Sequence, residues 1–541
     1  MSLNLADLTE AVVDAIPDRT ALVCGDRSHT YAQYDAAANR IGHHLAAAGV
    51  EPGDHVGLHM RNSLEYLDTM LGAMKIRAVP ININFRYVGA ELEYLYNNAE
   101  LVALIVDADL TDLVAEVLPE CPHLRHIVVV GDAPTPALDD AAALAEVTVV
   151  RYGDAVANAS DERDFAPRSD DDLYILYTGG TTGMPKGVMW RHEDFYFAAL
   201  GGGNAYGDPH SSPESLAAAA AANEHPLTYV VTAPLMHGAA MYAVFMGLFM
   251  GFPQVIMRNF EPVEALRQVD EHKAAVLMVV GDAISRPIAD VLAERRDDFD
   301  LSSLFVIGSG GALWSISVRD RLKELLPNVM LLNSFGSSES GANGPLTPGE
   351  DGKQRLAASP KVRVVDTDYS TVEPGSDTIG YLARVGHVPV GYFNDPEKTA
   401  ATFPVVDGTR MSLLGDLATV EADGSIIVLG RGSACINSGG EKIYAEEVEE
   451  AVKGHPAVED ALVTGVPDPR LGETVSVVVQ LREGAHEPTQ EELAEHCRTV
   501  IAGYKVPRHV VVMPEIVRSP AGKADYRWAK SIVTQSMTAE V

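Results

Sequence analysis

Residues 174–188, Tyr-Ile-Leu-Tyr-Thr-Gly-Gly-Thr-Thr-Gly-Met-Pro-Lys-Gly-Val, constrain the fold more than any other stretch, because an apolar run stops abruptly at hydroxyls, glycines and one lysine. The pattern predicts a buried strand running into a phosphate loop. Gly179, Gly180, Gly183 and Gly187 carry no Cβ, so the backbone can turn with positive φ and several N–H groups can converge on one anion. Thr178, Thr181 and Thr182 add hydroxyl donors, and Lys186 adds a cation on a flexible stem. The P-loop of nucleotide hydrolases needs Gly, four residues, then Gly-Lys-Ser/Thr. Here the order is Gly-Met-Pro-Lys-Gly, and Pro185 lacks an N–H and disfavours helical geometry at Met184, so no helix opens at the lysine. A plain glycine-rich hairpin between two strands is the competing reading.

At 541 residues the chain exceeds one ordinary core and is expected to divide into two or more domains. Hydrophobic residues make up 47% and charged residues 22%, with a mean hydropathy of +0.02, the texture of a soluble globular protein. A formal charge of −35 leaves little room for a basic stripe, which makes nucleic acid and anionic membrane surfaces poor partners. The same field repels polyanionic ligands, so a phosphate site has to be a local basic pocket. Cys24, Cys121, Cys435 and Cys497 are scattered with no Cys-x-x-Cys pair, which indicates neither a zinc site nor a disulfide framework and fits a reducing cytoplasm. The first residues reach acidic side chains at once and lack the basic region of a secretory signal. The uncharged run 238–257 has the length of a membrane span, but Gly247, Gly251, Pro253 and Gln254 interrupt it, and a buried helix is expected there.

Strand and helix patterns alternate from the N-terminal end through 101–107 and 126–130, which predicts an α/β protein with mostly parallel, helix-covered sheets. Residues 133–170 are rich in Ala, Asp and Pro and lose clear periodicity, as in a surface connection; the glycines at 201–203 and the alanines up to 222 suggest a mobile excursion. The apolar runs 275–280 and 303–307 end in small or polar residues, where parallel sheets bind ligands. Beyond Pro360, short strands with turn signals predict a small β-rich layer. Arg431-Gly432-Ser433 reads as a linker. The expected division is a large N-terminal domain, 1–430, a hinge, 431–433, and a small mobile α+β domain, 434–541.

The stretch Tyr177-Thr-Gly-Gly-Thr-Thr-Gly-Met-Pro-Lys-Gly187 resembles the phosphate loop of the adenylate-forming superfamily, which includes acyl-CoA synthetases, luciferase-like enzymes and the adenylation domains of peptide synthetases. Gly179 stands where that family usually has Ser. Further resemblances follow in order along nearly the whole chain. Asn333-Ser-Phe-Gly-Ser-Ser-Glu339 is similar to the aromatic-Gly-x-Thr-Glu motif, with Ser338 in place of Thr; alone, it would read as a strand end with a solvated Glu. The resemblance implies that Asn333, Ser334, Phe335, Gly336 and Ser337 lie on the nucleotide. Phe335 would stack on adenine, Ser338 would donate to the α-phosphate and Glu339 would hold Mg²⁺. Gly308-Ser-Gly-Gly-Ala-Leu313 resembles the loop against the adenine, which implicates Gly310, Gly311 and Ala312. Gly415-Asp416 takes the place of the family's Thr-Gly-Asp, so Asp416 and Arg431 would contact the ribose.

His237, with Met236, Tyr242, Val280 and Gly308, falls where the family holds its acyl substrate, and His237 is assigned to gating. Arg518-Ser-Pro-Ala-Gly-Lys523 resembles the terminal Gly-Lys motif, which makes Lys523 catalytic together with Glu339 and Thr178. By the same resemblance the hinge residue is Ser433, and Ser438, Gly439, Gly440 and Glu441 edge the pantetheine tunnel. Lys442, Arg470 and Lys505 are weaker candidates for CoA phosphates. The implied activity is an ATP-dependent acid–thiol ligase that uses Mg²⁺ and CoA and acts on a hydrophobic acid, most similar to bacterial fatty-acyl-CoA synthetases that include steroid side-chain ligases. The alternatives are an amino-acid- or aryl-acid-activating enzyme, with Asp282 available for an α-ammonium group, a luciferase-like oxygenase, and a nucleotide-binding scaffold without turnover. The motifs do not fix the oligomeric state, homodimer included.

Overall fold

The apolar runs 101–107 and 126–130 form the strands Leu101–Asp107 and His126–Val130. Leu101–Asp107 is buried on two faces: Ala103 and Ile105 belong to one core, Leu104 and Val106 to another. A strand covered on both sides has no reason to alternate polar with apolar residues. In this computed structural model, which describes residues 2–180, 183–205, 207–312, 314–349, 353–431, 435–438, 441–468, 472–518 and 524–539, these strands lie in an eight-stranded sheet. Its order is Gly391–Tyr392, Gly183–Arg191, Leu173–Gly180, Val79–Asn82, His55–His59, Leu101–Asp107, His126–Val130, Thr148–Arg151. Pairing is parallel from Leu173–Gly180 outward to Thr148–Arg151 and antiparallel at the other end.

A second sheet, 14-stranded, has a parallel centre made of Thr20–Cys24, Gln254–Ile256, Tyr229–Val231, Val276–Val279, Val306–Gly310 and Met330–Ser337. From Gly341–Pro348 onward it continues antiparallel, so the β-rich portion beyond residue 360 is hydrogen-bonded into this same sheet while keeping its own core around Val364, Leu382, Ala418 and Ile426. One core joins both large sheets through the helices Leu5–Ala15, Tyr31–Ala47, Leu64–Lys75 and Gly238–Phe249. A third sheet is built from Cys435–Ser438, Glu441–Tyr444, Val458–Asp468, Gly472–Leu481 and His509–Met513. The amphipathic helices Ala445–Lys453 and Gln490–Arg498 close its core at Val448, Val463, Val477 and Leu493.

Two expectations are corrected. The 133–170 connection contains the helix Pro136–Leu144, the edge strand Thr148–Arg151 and the helix Tyr152–Ala157; these elements are too short to show a period, yet Leu138 and Ala142 are buried. The excursion before 222 ends in a docked helix, Pro213–Ala222, started by a Ser212–Ser215 capping box. Its Leu216 is buried, and Arg19 donates to the carbonyls of Ala220, Asn223 and Gly251. The apolar run after His237 is the helix Gly238–Phe249, which the chain leaves through Gly251 at φ +75° before the strand Gln254–Ile256. Among the described residues no helix is long and apolar enough to cross a membrane.

Candidate active site

The glycine- and threonine-rich segment 174–188 belongs to a hairpin. Leu173–Gly180 and Gly183–Arg191 pair antiparallel, with Thr178 opposite Lys186, Gly180 opposite Gly183, and a register shift between Thr178 and Gly180. The competing hairpin reading therefore describes the paired backbone, with Thr178, Gly180 and Gly183 at the described ends of its two strands. Thr181 and Thr182 lie outside the described residues. Gly187 is required on the strand itself, since a Cβ there would sit 2.7 Å from the Tyr177 ring. Sequence reasoning missed Asn82, whose buried amide accepts the Tyr177 N–H at 2.7 Å and donates to the carbonyls of Tyr177 at 2.8 Å and Met236 at 2.7 Å. That amide ties the hairpin to the turn before His237. A polar residue inside the apolar run 78–83 was the available signal.

Met330–Ser337 lies parallel to Val306–Gly310, which sets Asn333 beside Ser309 and Ser334 beside Gly310. It then pairs with Gly341–Pro348, with an irregularity at Phe335 and Gly336, so Ser338 and Glu339 occupy the connecting turn. Trp190, on the hairpin, donates from Nε1 to the Ser338 carbonyl at 2.9 Å. Glu339 is not merely solvated, because its Oε1 accepts the Tyr392 hydroxyl at 3.0 Å. Lys186 Nζ lies 3.0 Å from Asp395 Oδ2 and 5.5 Å from the centroid of the same Tyr392 ring. Tyr392 and Asp395, like Asn82, belong to no motif picked out in the sequence.

These segments border a cleft of about 2470 Å³. Its lining includes Thr178, Gly310, Gly311, Ala312, Asn333, Ser334, Phe335, Gly336, Ser337, Ser338 and Asp416, together with Met236, His237, Tyr242, Val280 and Gly308. Glu339 is tied by Tyr392 to the hairpin, and Lys186 rests on the other part of that ring. Asp416 is buried on Thr409–Val420 and pairs in register with Arg431 of Ile426–Arg431. His237 immediately precedes the helix Gly238–Phe249 and is buried to an intermediate degree at most. The Tyr242 hydroxyl is buried with no hydrogen-bond partner among the described residues, and burial pushes its pKa well above the usual phenol value. At Gly308 a Cβ would meet Met278 Sδ at 2.8 Å, so glycine keeps this part of the wall open.

The small C-terminal sheet reaches the same cleft. Ser438 pairs in register with Glu441 and with Gly472. Lys505 lines the cleft, with Nζ 2.6 Å from Glu447 Oε1. Glu450 Oε2 accepts the Ile316 N–H at 2.9 Å, and Arg286 Nε lies 3.0 Å from Glu459 Oε1, which fastens this part of the chain to the second sheet's helices. Gly439, Gly440, Arg470, Lys523 and Ser433 are outside the described residues, as are the side chains of Arg431, Glu441 and Lys442. Asp282 is committed elsewhere: its Oδ1 accepts the Ser315 N–H at 2.8 Å and its Oδ2 lies 3.2 Å from Arg286. The acid considered for an α-ammonium group is thereby used in structure.

Residues 9–386 match the family model described as AMP-binding enzyme, and residues 447–523 match the AMP-binding enzyme C-terminal domain. The chain is 48% identical over 549 residues to a medium/long-chain-fatty-acid–CoA/3-oxocholest-4-en-26-oate–CoA ligase of Mycolicibacterium smegmatis, covering 100% of this chain and 98% of the relative. It is 48% identical over 542 residues to a 3-oxocholest-4-en-26-oate–CoA ligase of Rhodococcus rhodochrous, covering 98% and 96%. The fold is similar to the crystal structure of the anthranilate CoA ligase AuaEII in complex with anthranoyl-AMP, with a TM-score of 0.82 at 24% identity over 99% of this chain and 98% of that one.

Proposed function

The chain belongs to the AMP-binding enzyme family, and from that premise we propose that it is an ATP-dependent acid–thiol ligase for a hydrophobic carboxylic acid, a fatty acid or a steroid side-chain acid. The observation that carries the reading is the meeting, in one cleft, of hairpin, strand ends and turn from distant parts of the sequence, with an apolar wall at Met236, Val280 and Met278 beside a polar one at Thr178, Ser338 and Asp416. The full-length relatives named as ligases of fatty and steroid acids support the choice of substrate class.

A carboxylate oxygen attacks the α-phosphorus of ATP, the bond to the oxygen bridging to the β-phosphate breaks, and pyrophosphate leaves. The CoA sulfur then attacks the acyl carbonyl carbon and AMP departs. No general base is needed for the first step, since the acid is already ionised at neutral pH. Phe335 would stack on the adenine, Gly310, Gly311 and Ala312 would let the base approach the backbone, and Asp416 with Arg431 would take the ribose hydroxyls. Ser338 and the hydroxyls at Thr178, Thr181 and Thr182 would donate to phosphate oxygens, with Lys186 as the local cation.

Among the described residues no group of three or more His, Cys, Asp and Glu could enclose a metal. Glu339 offers one carboxylate, which fits Mg²⁺ completed by phosphate oxygens and water. Bound there, the ion would offset phosphate charge. Residues 1–430 would form the nucleotide and acyl domain, and 434–541 a lid turning about 431–433. Lys523 would stabilise the charge built up in the first step, and Ser438 to Glu441 would guide the thiol in the second.

The test is pyrophosphate release from ATP with acids from acetate to sterol acids, with and without CoA. Long-chain and steroid acids are expected to support it, and Lys523→Ala should abolish adenylate formation while preformed acyl-AMP is still converted to the thioester. ATP binding with no acid-dependent pyrophosphate release would sink the ligase reading.

A further inference from the structure

Tyr392 sits between Glu339 and Lys186, whose chain neighbours Ser338 and Pro185 line the cleft. It belongs to the short strand Gly391–Tyr392, where it faces Val188 of the hairpin in register. The neighbouring backbone tightens that grip: Val390 N–H donates to the Met189 carbonyl and Phe393 N–H to the Gly187 carbonyl, each at 2.8 Å. The Tyr392 N–H donates to Thr399 Oγ1 at 2.8 Å, and its ring lies 5.3 Å from that of Phe403. With 6% of the residue exposed, the ring's orientation is set by its neighbours.

From this fixed position the hydroxyl donates to Glu339 Oε1 at 3.0 Å, while the ring lies 5.5 Å from Lys186 Nζ, within reach of the attraction between a cation and an aromatic face. Asp395 works from the same short segment. Its Oδ2 holds Lys186 at 3.0 Å, and its Oδ1 accepts the Lys398 N–H at 3.0 Å, capping the helix Pro396–Thr402. One rigid side chain therefore sets the relative placement of an anion and a cation supplied by separate segments. We propose that Tyr392 is a positioning residue for adenylate formation, orienting Glu339 toward the divalent cation and Lys186 toward the phosphates; the proposal rests on the ligase reading.

Tyr392→Phe keeps the ring and removes the hydroxyl, whereas Tyr392→Leu removes both. Calorimetric titration of the full chain with ATP, in magnesium and in EDTA, reads binding without turnover, and acid-dependent pyrophosphate–ATP exchange across a magnesium series reads the step itself. For Tyr392→Phe the magnesium concentration at half-maximal exchange should rise about tenfold, as for other residues that orient a metal ligand. Its binding of ATP in EDTA and its conversion of preformed acyl-AMP to thioester should stay at wild-type values. Tyr392→Leu should weaken ATP binding in EDTA as well.

An unchanged magnesium dependence in Tyr392→Phe would overturn the proposal. So would equal loss of both half-reactions with a lowered Tm, the mark of a purely structural tyrosine. If the wild-type chain binds ATP with magnesium yet activates no acid, the ligase reading falls, and the magnesium-dependent binding difference between wild type and Tyr392→Phe still decides the role of Tyr392.

Discussion

Lys75 and Lys186 each face a carboxylate at a similar distance, 2.7 Å to Asp35 and 3.0 Å to Asp395, yet their surroundings differ in every other respect. The Lys75 side chain is 0% exposed, has Glu10 as a second partner, and shares Asp35 with Arg163, whose Nε lies 2.8 Å from the other carboxylate oxygen. Burial alone would raise the Asp35 carboxyl, but the Lys75 and Arg163 cations hold it below the ordinary carboxylate range. The Lys186 side chain is 36% exposed and rests on an aromatic face, next in the chain to Pro185, which lines the cleft. A cation enclosed by its counter-charges has nothing left to offer a ligand. A cation held on one side only is placed but still available, which is what the role proposed for Lys186 at the phosphates requires.

The sharpest way to break this distinction is Lys75→Met. It leaves Asp35 with Arg163, and Glu10 with Arg168, as the remaining cation in a buried setting, so the loss is expected at about 3 kcal/mol, the low end for breaking a buried pair. Denaturant unfolding should report that loss, while kcat/KM of the fraction still folded stays at the wild-type value. A Lys75→Met protein of normal stability would mean that the network relaxes and the contrast with Lys186 is empty.

Lys186→Ala should behave in the opposite way. On the proposed function, loss of one preorganised donor to developing phosphate charge should lower the rate of acid-dependent pyrophosphate exchange by about 10²-fold, or about 2.7 kcal/mol. The unfolding midpoint should hardly move, because a half-exposed pair contributes only about 0–1 kcal/mol to folding. A large stability loss with unchanged exchange kinetics would reassign Lys186 to the scaffold.

The same contrast explains what could be read from the sequence. Strands such as Leu101–Asp107 are legible because burial on two faces leaves an uninterrupted apolar run. The segments 308–312 and 333–338 stand out because glycines and hydroxyls interrupt apolar runs at strand ends, and both line the cleft; the packing need for Gly308 and Gly336, where a Cβ would meet Met278 and the Gly341 carbonyl, leaves no separate mark in the sequence. Tyr392 was invisible, since its partners Glu339 and Lys186 are set by the pairing of a two-residue strand that leaves no periodic trace. The helix Pro213–Ala222 was missed for a related reason: a run of alanines has strong helix propensity but no polar face to mark a period. Hairpin and loop could not be separated at 178–183, because the same glycines permit either.

Glu449, in the small domain, sharpens the comparison from a third side, as a buried acid that holds a backbone N–H where Asp35 holds two cations. It is 1% exposed, and its Oε1 accepts the Val463 N–H at 3.0 Å. Burial pushes its carboxyl from an ordinary 4.5 up to about 7; Lys453 pulls it down without reversing the rise, and Glu446 adds to it. A carboxyl whose folded pKa is raised contributes stability that is fully present below its unfolded pKa and is lost as pH climbs through the folded one. Relative to Glu449→Gln, which keeps an acceptor for the Val463 N–H, the wild-type small domain should therefore lose stability between pH 4.5 and about 7 and run parallel above that window. The relative loss should be on the order of 3 kcal/mol, since the rise from 4.5 to about 7 spans between two and three tenfold steps in proton affinity and each corresponds to about 1.4 kcal/mol. Melting curves of the two proteins across that range measure it directly. A gap that stays constant with pH would mean that Lys453 keeps Glu449 ionised throughout, which would move Glu449 into the same class as Asp35.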